Sequence, residues 1–375
     1  MKVLVTGSAG FVARNLCVAL ARTQDVEVYK YDVDSPPADL ESGLANADII
    51  FHLAGVNRPQ TDDEFHTGNS GFTQEICQKL RAAGRKPKIV LSSSVQAESH
   101  NPYGISKRAA EATIRDYAER SGAAATAYRL KNLFGKWCRP NYNSVTATFC
   151  HNIANGLPIQ ISDPANIVDL TYIDDVVAAF LAELTDVRPG FRMAAPLPSR
   201  EINLGDLAAL ITSFRDLRRT LVLPDFSPPF VRSLYATYLS YLPTDGFAYA
   251  LGSKTDNRGS LAEWIKQPGL GQVFVSHTRP GITRGNHFHH TKIEKFLVVH
   301  GEAIICFRQI EGEKVIEYPV TGDEYKVVDI PPGYTHSIEN VGSGDLVTLF
   351  WADQVFDPAH ADTIFEPVIK QGKPT

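Results

Sequence analysis

Residues 2–14 read KVLVTGSAGFVAR, and this stretch decides the fold of the first half of the chain. Val3, Leu4 and Val5 form a short continuous apolar run, the pattern of a strand covered on both faces. Gly7, Gly10 and Ala13 follow with the spacing G-x-x-G-x-x-A, and Phe11 and Val12 begin a helical pattern. Glycine permits the tight turn and lets the backbone approach a pyrophosphate, which then rests on the helix N-terminus. A strand before the glycines and a helix after them point to a dinucleotide-binding loop rather than a plain connection.

Outward from this loop, further apolar runs at 26–32, 47–55, 88–94 and 125–132 alternate with amphipathic stretches such as 14–21 and 72–83. Strand–helix alternation of this kind predicts an α/β Rossmann domain, a parallel sheet with helices on both faces. Asp32 closes the second run, where a carboxylate accepts the adenosine ribose hydroxyls and repels a 2′-phosphate. Asp48, at the start of the third run, is a candidate adenine contact. Leu53, Ala54 and Gly55 end that run where a cofactor crosses the sheet. From about 141 to 240 the pattern is helical. Beyond it, short β-like segments split by glycine and proline predict an all-β barrel or sandwich. The sequence pattern therefore divides the chain into 1–244 and 245–375.

Tyr103 and Lys107 lie four residues apart just inside a predicted helix, so their side chains share a face. A phenol titrates near ~10 and is a poor proton carrier at neutral pH. An adjacent ammonium favours the phenolate and brings that value down. Tyr103 then donates a proton to a ketone oxygen as hydride reaches its carbon, Lys107 holds the nicotinamide ribose, and Ser94 binds the same ketone oxygen.

A second constellation follows. His287, His289 and Glu294 stand in the order H-x-H-x4-E, and His336 comes later in PPGYTHSIEN. Alternation on a strand puts His287 and His289 on one face. With Glu294 and His336 they make a three-histidine, one-carboxylate set suited to zinc or another divalent transition metal.

The formal net charge of -5, without a Lys/Arg-rich run, gives no pull toward nucleic acid or an anionic membrane. Five scattered cysteines without a C-x-x-C pair argue against a disulfide framework. No apolar run approaches the ~20 residues that span a bilayer. A cytoplasmic location is expected, and neither nucleic acid nor membrane is expected as a partner.

With these residues in view, residues 1 to about 240 resemble the extended short-chain dehydrogenases that act on nucleotide sugars. The segments Arg129–Gly135 and Asp169–Val176 add to the likeness, although the family's usual arginine before that aspartate is Val168 here. The second half resembles cupin barrels. Arg284-Gly285-Asn286-His287 and Asp256-Asn257-Arg258-Gly259 also resemble metal-free cupin sugar epimerases, which would make His287 the base and Lys295 the cation at an enolate oxygen. If His287 is instead a metal ligand, His290, Lys292 or Tyr334 becomes the base. Over its whole length the chain resembles the bifunctional capsular-polysaccharide enzymes that fuse these two modules.

That resemblance implies a homodimer using NADPH and zinc on a UDP-4-keto-2-acetamido-2,6-dideoxyhexose. The cupin would epimerise carbon 3 and the reductase would reduce the 4-keto group, towards UDP-N-acetyl-L-fucosamine. Asp32 favours NADH, so both nucleotides stay open. Two other readings are a single-activity reductase whose cupin only binds sugar or makes the dimer, and a non-enzymatic NAD(P)-binding sensor.

Overall fold

A computed structural model describes residues 1–251, 253–256, 259–262, 272–353, 359 and 361–370. Asn257 and Arg258 of the D-x-R-G segment lie outside the described residues. The chain forms two compact units, one of residues 1–145 and 167–202, the other of residues 146–166 and 203–375. The helical stretch after residue 203 thus groups with the later strands.

The first unit contains β1 (Lys2–Thr6), α1 (Phe11–Leu20), β2 (Glu27–Tyr31), α2 (Pro37–Asn46), β3 (Ile49–His52), α3 (Asp62–Phe65), α4 (Phe72–Ala82), β4 (Lys88–Ser94), α5 (Pro102–Ser121) and β5 (Ala124–Leu130). Then come β6 (Asn132–Phe134), α6 (Val145–Ala154, almost wholly in the second unit), β7 (Ile167–Tyr172), α7 (Ile173–Ala182), β8 (Gly190–Met193) and β9 (Arg200–Asn203). Six strands form one sheet in the order β2-β1-β3-β4-β5-β8, with every neighbouring pair parallel. The parallel sheet follows from the continuous apolar strands. Leu4, Ile50 and Leu91 pack with Leu44, Leu80 and Ile114 from α2, α4 and α5. On the strand β3, Phe51 packs its ring 5.6 Å from Phe180 of α7. The strand order reverses between β1 and β3, and a crevice for ligands opens at the carboxyl ends of such strands.

The start of α5 is written locally. The Asn101 side chain accepts from the Gly104 N–H at 2.7 Å, and Pro102 occupies the first turn, where its missing N–H costs nothing. A Cβ on Gly104 would lie 2.0 Å from the Gln96 carbonyl oxygen, so only glycine allows the 95–98 turn to close on this helix.

The second unit adds α8 (Leu204–Thr220), α9 (Pro229–Leu239), β10 (Ala248–Ala250), β11 (Ser253–Asp256), β12 (Gly259–Ala262), β13 (Gln272–Thr278), β14 (Thr283–Phe288), β15 (Glu294–His300) and β16 (Glu302–Gln309). It ends with β17 (Val315–Thr321), β18 (Lys326–Ile330), β19 (Tyr334–Asn340), β20 (Leu346–Ala352) and β21 (Ile364–Phe365). Two five-stranded sheets run β10-β18-β15-β20-β13 and β17-β16-β19-β14-β21. They face each other: Phe296 of β15 meets His336 of β19 with ring centroids 5.6 Å apart. The all-β expectation for this part of the chain is met by these sheets. No described helix is long and apolar enough to cross a membrane.

Candidate active sites

The glycine loop stands at the reversal point of the first sheet. Gly7 has φ +67°, and a Cβ there would lie 2.7 Å from the Ala54 backbone N and Cα. Loop and strand end therefore touch backbone to backbone, which a larger residue would prevent. The Gly10 N–H donates to the Gly7 carbonyl at 2.9 Å, and Gly10 caps α1, whose first turn carries no acidic residue. Phe11 and Val12 sit in that first turn, and Ala13 is buried behind it. Leu53, Ala54 and Gly55 lie just beyond β3, where the Ala54 N–H donates to Thr6 Oγ1 at 3.3 Å. Asp32 reaches the loop: its Oδ2 accepts the Ala9 N–H at 2.7 Å, and Oδ1 accepts the Val33 N–H at 2.8 Å.

Asp48 does not belong to this group. Its Oδ2 accepts the Lys2 N–H at 2.8 Å, and its carbonyl accepts the Lys88 N–H at 3.0 Å. It therefore sits where β1, β3 and β4 begin, the opposite edge of a parallel sheet from Gly7. Strand direction overturns the adenine contact.

Ser94, Tyr103 and Lys107 come together. Ser94 ends β4, its Oγ accepts the Gln96 N–H at 3.1 Å, and it lies close enough to the Tyr103 phenol to pull its pKa down. Lys107 is buried, donates to the Ser92 carbonyl at 3.1 Å, and lies 5.8 Å from the centre of the Tyr103 ring. Burial lowers the Lys107 pKa to about 8, with Glu111 pulling the other way. The Tyr103 phenol moves up, not down as the sequence predicts, because burial outweighs the Ser94 hydrogen bond. A phenol that keeps its proton suits a donor better than a base.

A fourth polar group was missed in the sequence. Asn69 is 2% exposed, and its Oδ1 accepts the Val56 N–H at 2.9 Å. Its Nδ2 donates to Ser106 Oγ at 2.9 Å and to the Val56 carbonyl at 3.1 Å. A Cβ on Gly55 would meet Asn69 Oδ1 at 2.8 Å and Lys107 Nζ at 3.0 Å, so these two groups converge on the strand end. Asn69 lies in a π-helical turn, His66–Gly71, a widening found at functional sites. A lone asparagine in a helical stretch gives no signal in one sequence.

Val168 offers no charge at the position before Asp169, and Asp169 pairs with Lys131. A cavity of about 240 Å³ opens here, lined by Glu98, Arg129, Lys131, Thr171, Met193 and Leu197 among others.

In the second unit, His287, His289, Glu294 and His336 offer ligand atoms that all lie within 4.8 Å of one another. Alternation places the first two, and β15 supplies Glu294 from the facing sheet. A bulge between Gly285 and His287 turns β14, with Gly285 at φ 97° and Asn286 at φ 58°. Glu294 Oε2 lies 3.3 Å from His289 Nε2 and 3.6 Å from His336 Nε2, while its Oε1 meets the Lys292 ammonium at 2.9 Å. His289 Nδ1 donates to the Asp362 carbonyl, which turns Nε2 toward Glu294. That Nε2 and the His336 Nε2 are buried without a hydrogen-bond partner. Burial, then the neighbouring histidines His336 and His289, lower the His287 pKa to about 3, and burial also lowers that of His336. Three imidazoles around one carboxylate, with His287 and His336 held neutral and ligand atoms within 4.8 Å of one another, fit a divalent metal such as zinc.

One sequence expectation fails here. Lys295 follows Glu294 on a strand and so takes the opposite face. Its ammonium pairs with Asp329 and donates to Tyr249 at 3.3 Å, and Asp329 also holds Arg218 of α8 at 2.7 Å. It therefore lies among residues behind the sheet, away from the cluster. His290, a candidate base rather than a ligand, packs its ring edge-on against Phe288 at 5.2 Å.

A model of the NAD dependent epimerase/dehydratase family matches residues 3–205. The chain belongs to that family. Its NAD dependence agrees with the nicotinamide cofactor read from the glycine loop. A model described as the polysaccharide biosynthesis C-terminal domain matches residues 254–364. The UDP-2-acetamido-2,6-beta-L-arabino-hexul-4-ose reductase of Pseudomonas aeruginosa is 43% identical over 97% of this chain and 98% of its own. The crystal structure of the capsular polysaccharide assembling protein CapF from Staphylococcus aureus is 45% identical, covers 98% of this chain and 100% of that one, and gives a TM-score of 0.67. The UDP-glucuronic acid 4-epimerase of Bacillus cereus, 19% identical with a TM-score of 0.50 over 57% of this chain and 83% of its own, shares the fold alone.

Proposed function

We propose that this chain is a bifunctional nucleotide-sugar enzyme acting on a UDP-4-keto-2-acetamido-2,6-dideoxyhexose. One centre, in a cupin barrel, epimerises carbon 3. The other reduces the 4-keto group with NADPH or NADH, towards UDP-N-acetyl-L-fucosamine for a surface polysaccharide. The observation that carries this reading is that one chain holds two separate sets of chemical groups. One is Ser94, Tyr103 and Lys107 beside a dinucleotide loop. The other is the buried cluster of His287, His289, Glu294 and His336. The P. aeruginosa relative named as a reductase of a UDP-hexul-4-ose aligns across both.

In the first centre the reduced nicotinamide supplies hydride. Tyr103, kept protonated by burial, donates the proton that completes the alcohol, and Ser94 orients the ketone oxygen. Lys107 places an ammonium beside the tyrosine ring, where it would hold the cofactor ribose. The cavity around Arg129 and Lys131 is the candidate place for the nucleotide.

In the second centre the four clustered residues hold the metal, which supplies Lewis acidity toward a ketone oxygen. A proton next to a carbonyl is the only ring proton acidic enough to remove, so epimerisation must precede reduction. We assign His287 as a ligand because its ring lies 4.6 Å from that of His336 and 4.9 Å from that of His289. Among the alternative bases, Lys292 meets the cluster at Glu294, 2.9 Å away. NADPH preference and a homodimer come with the likeness to the CapF-type enzymes. A cytoplasmic location rests on the sequence reading.

The test is solvent deuterium exchange at carbon 3, followed by NMR without nicotinamide. Wild type and Tyr103→Phe are expected to exchange alike, while reduction by Tyr103→Phe drops by ~10²–10⁴-fold. Loss of exchange in that variant overturns the division of labour. No exchange in wild type favours a single-activity reductase whose barrel only binds or dimerises. Failure to oxidise NAD(P)H with any UDP-keto-sugar favours a sensor.

A further inference from the structure

His289 and its neighbours owe their placement to a segment 73 residues further along the chain. Asp362 makes two kinds of contact there. Its backbone carbonyl accepts from His289 Nδ1, which fixes the ring with Nε2 facing Glu294. Its carboxylate accepts three successive N–H groups: His290 at 2.9 Å, Thr291 at 2.7 Å and Lys292 at 2.8 Å, with Thr291 Oγ1 added at 2.8 Å. Those residues form the turn that joins His289 to Glu294, so the carboxylate fixes the spacing of two cluster residues.

The same segment grips the third. β21 pairs with β14, matching Phe365 with His287 and Ile364 with Phe288. The Glu366 N–H donates to the Asn286 carbonyl at 2.8 Å and the Val368 N–H to Asn286 Oδ1 at 3.1 Å. These bonds hold Asn286 in the positive-φ bulge that turns His287 inward. The far end is pinned by Arg308, only 1% exposed, which donates to the carbonyls of Pro367 and Val368 at 2.9 Å and pairs with Glu366 at 3.0 Å. The same guanidinium also donates to the carbonyls of Gln309, Ile310 and Gly312 at 3.1 Å, so it ties the strap to the turn after β16.

We propose that segment 362–368 is a clasp that preorganises the metal centre, with Asp362 as its positioning residue. This inference rests on reading His287, His289, Glu294 and His336 as a metal site. Groups that orient metal ligands typically contribute 10–100-fold in affinity. The clasp therefore sets how tightly the barrel holds zinc without supplying a ligand.

The experiment measures zinc affinity of the full chain by competition with a chromophoric chelator, alongside NAD(P)H binding by the first unit. Asp362→Ala is expected to weaken zinc by ~10–100-fold and leave NAD(P)H binding unchanged. Asp362→Asn keeps the size and one acceptor oxygen, so it guards against a variant that fails to fold. It is expected to weaken zinc by several-fold, on the order of one lost charge-assisted hydrogen bond, and to alter the visible spectrum of the cobalt-substituted protein. Arg308→Met, which frees the far end of the strap, is expected to weaken zinc in the same direction. Wild-type zinc affinity together with a wild-type cobalt spectrum in Asp362→Asn overturns the clasp. If wild type itself takes up no zinc, the metal reading falls and the clasp with it.

Discussion

Replacing Lys295 by methionine separates a structural lysine from a catalytic one. The ammonium is 2% exposed and pairs with Asp329, which is 0% exposed. Burial alone would lower its pKa, but the Asp329 charge outweighs that and raises it, so the lysine is ionised at neutral pH. Removing one member of a buried pair costs about 3–5 kcal/mol because the other charge is stranded. Here Arg218 stays on the second Asp329 oxygen at 2.7 Å, which argues for the lower end, about 3 kcal/mol. For a unit of 150–250 residues each kcal/mol moves the melting temperature by ~2–4 °C, so Lys295→Met should melt about 6–12 °C lower. Residual deuterium exchange at carbon 3, measured below the transition, should stay within a few-fold of wild type. The assays are calorimetry and NMR on the same preparation. A melting temperature unchanged to about 1 °C, with exchange down by ~10²-fold or more, would refute this reasoning and return Lys295 to the substrate.

Lys107, brought to about 8 by burial, should make reduction fall as pH rises through that value; a flat kcat/KM profile from pH 7 to 9 would remove it from the chemistry. The same shift carries a stability sign. Between pH 8 and 10.5 the unfolded chain binds this proton and the folded chain does not, so this group's penalty is relieved as pH rises, and Lys107→Met should abolish that rise in urea titrations. His336→Ala, or chelation of wild type, should abolish exchange and bound zinc together; full exchange without metal would make His287 the base. Asp32→Ala should weaken NADH more than NADPH, measured by fluorescence titration. Equal losses would mean that Asp32 serves only the Ala9 N–H of the loop.

Much of both sites was legible in sequence because local rules govern them. The glycine spacing places the loop, the Asn101-Pro102 pair starts α5 one residue before Tyr103, and strand alternation collects His287 with His289. The errors have equally local causes. Asp48 begins its strand, and in a parallel sheet a strand's beginning lies far from the crevice. Lys295 was assigned by likeness to metal-free epimerases, although alternation alone sets it opposite Glu294. The direction of the Tyr103 shift needed burial, which no spacing conveys.

The sequence by itself determined the parallel sheet, the loop at its reversal point, the helix that carries Tyr103 and Lys107, and the residue types of the four-ligand cluster. These depend on periods of 2 and 3.6 residues and on glycine's freedom, all of which act over a few residues. Only the tertiary structure decided that Asn69 and Lys107 converge on the end of β3 at Gly55, that Lys295 belongs to a buried pair behind the sheet, and that Asp362 closes the turn after His289. Those contacts join residues tens of positions apart, and their energy comes from shared burial and hydrogen bonds that exist only once the strands have met.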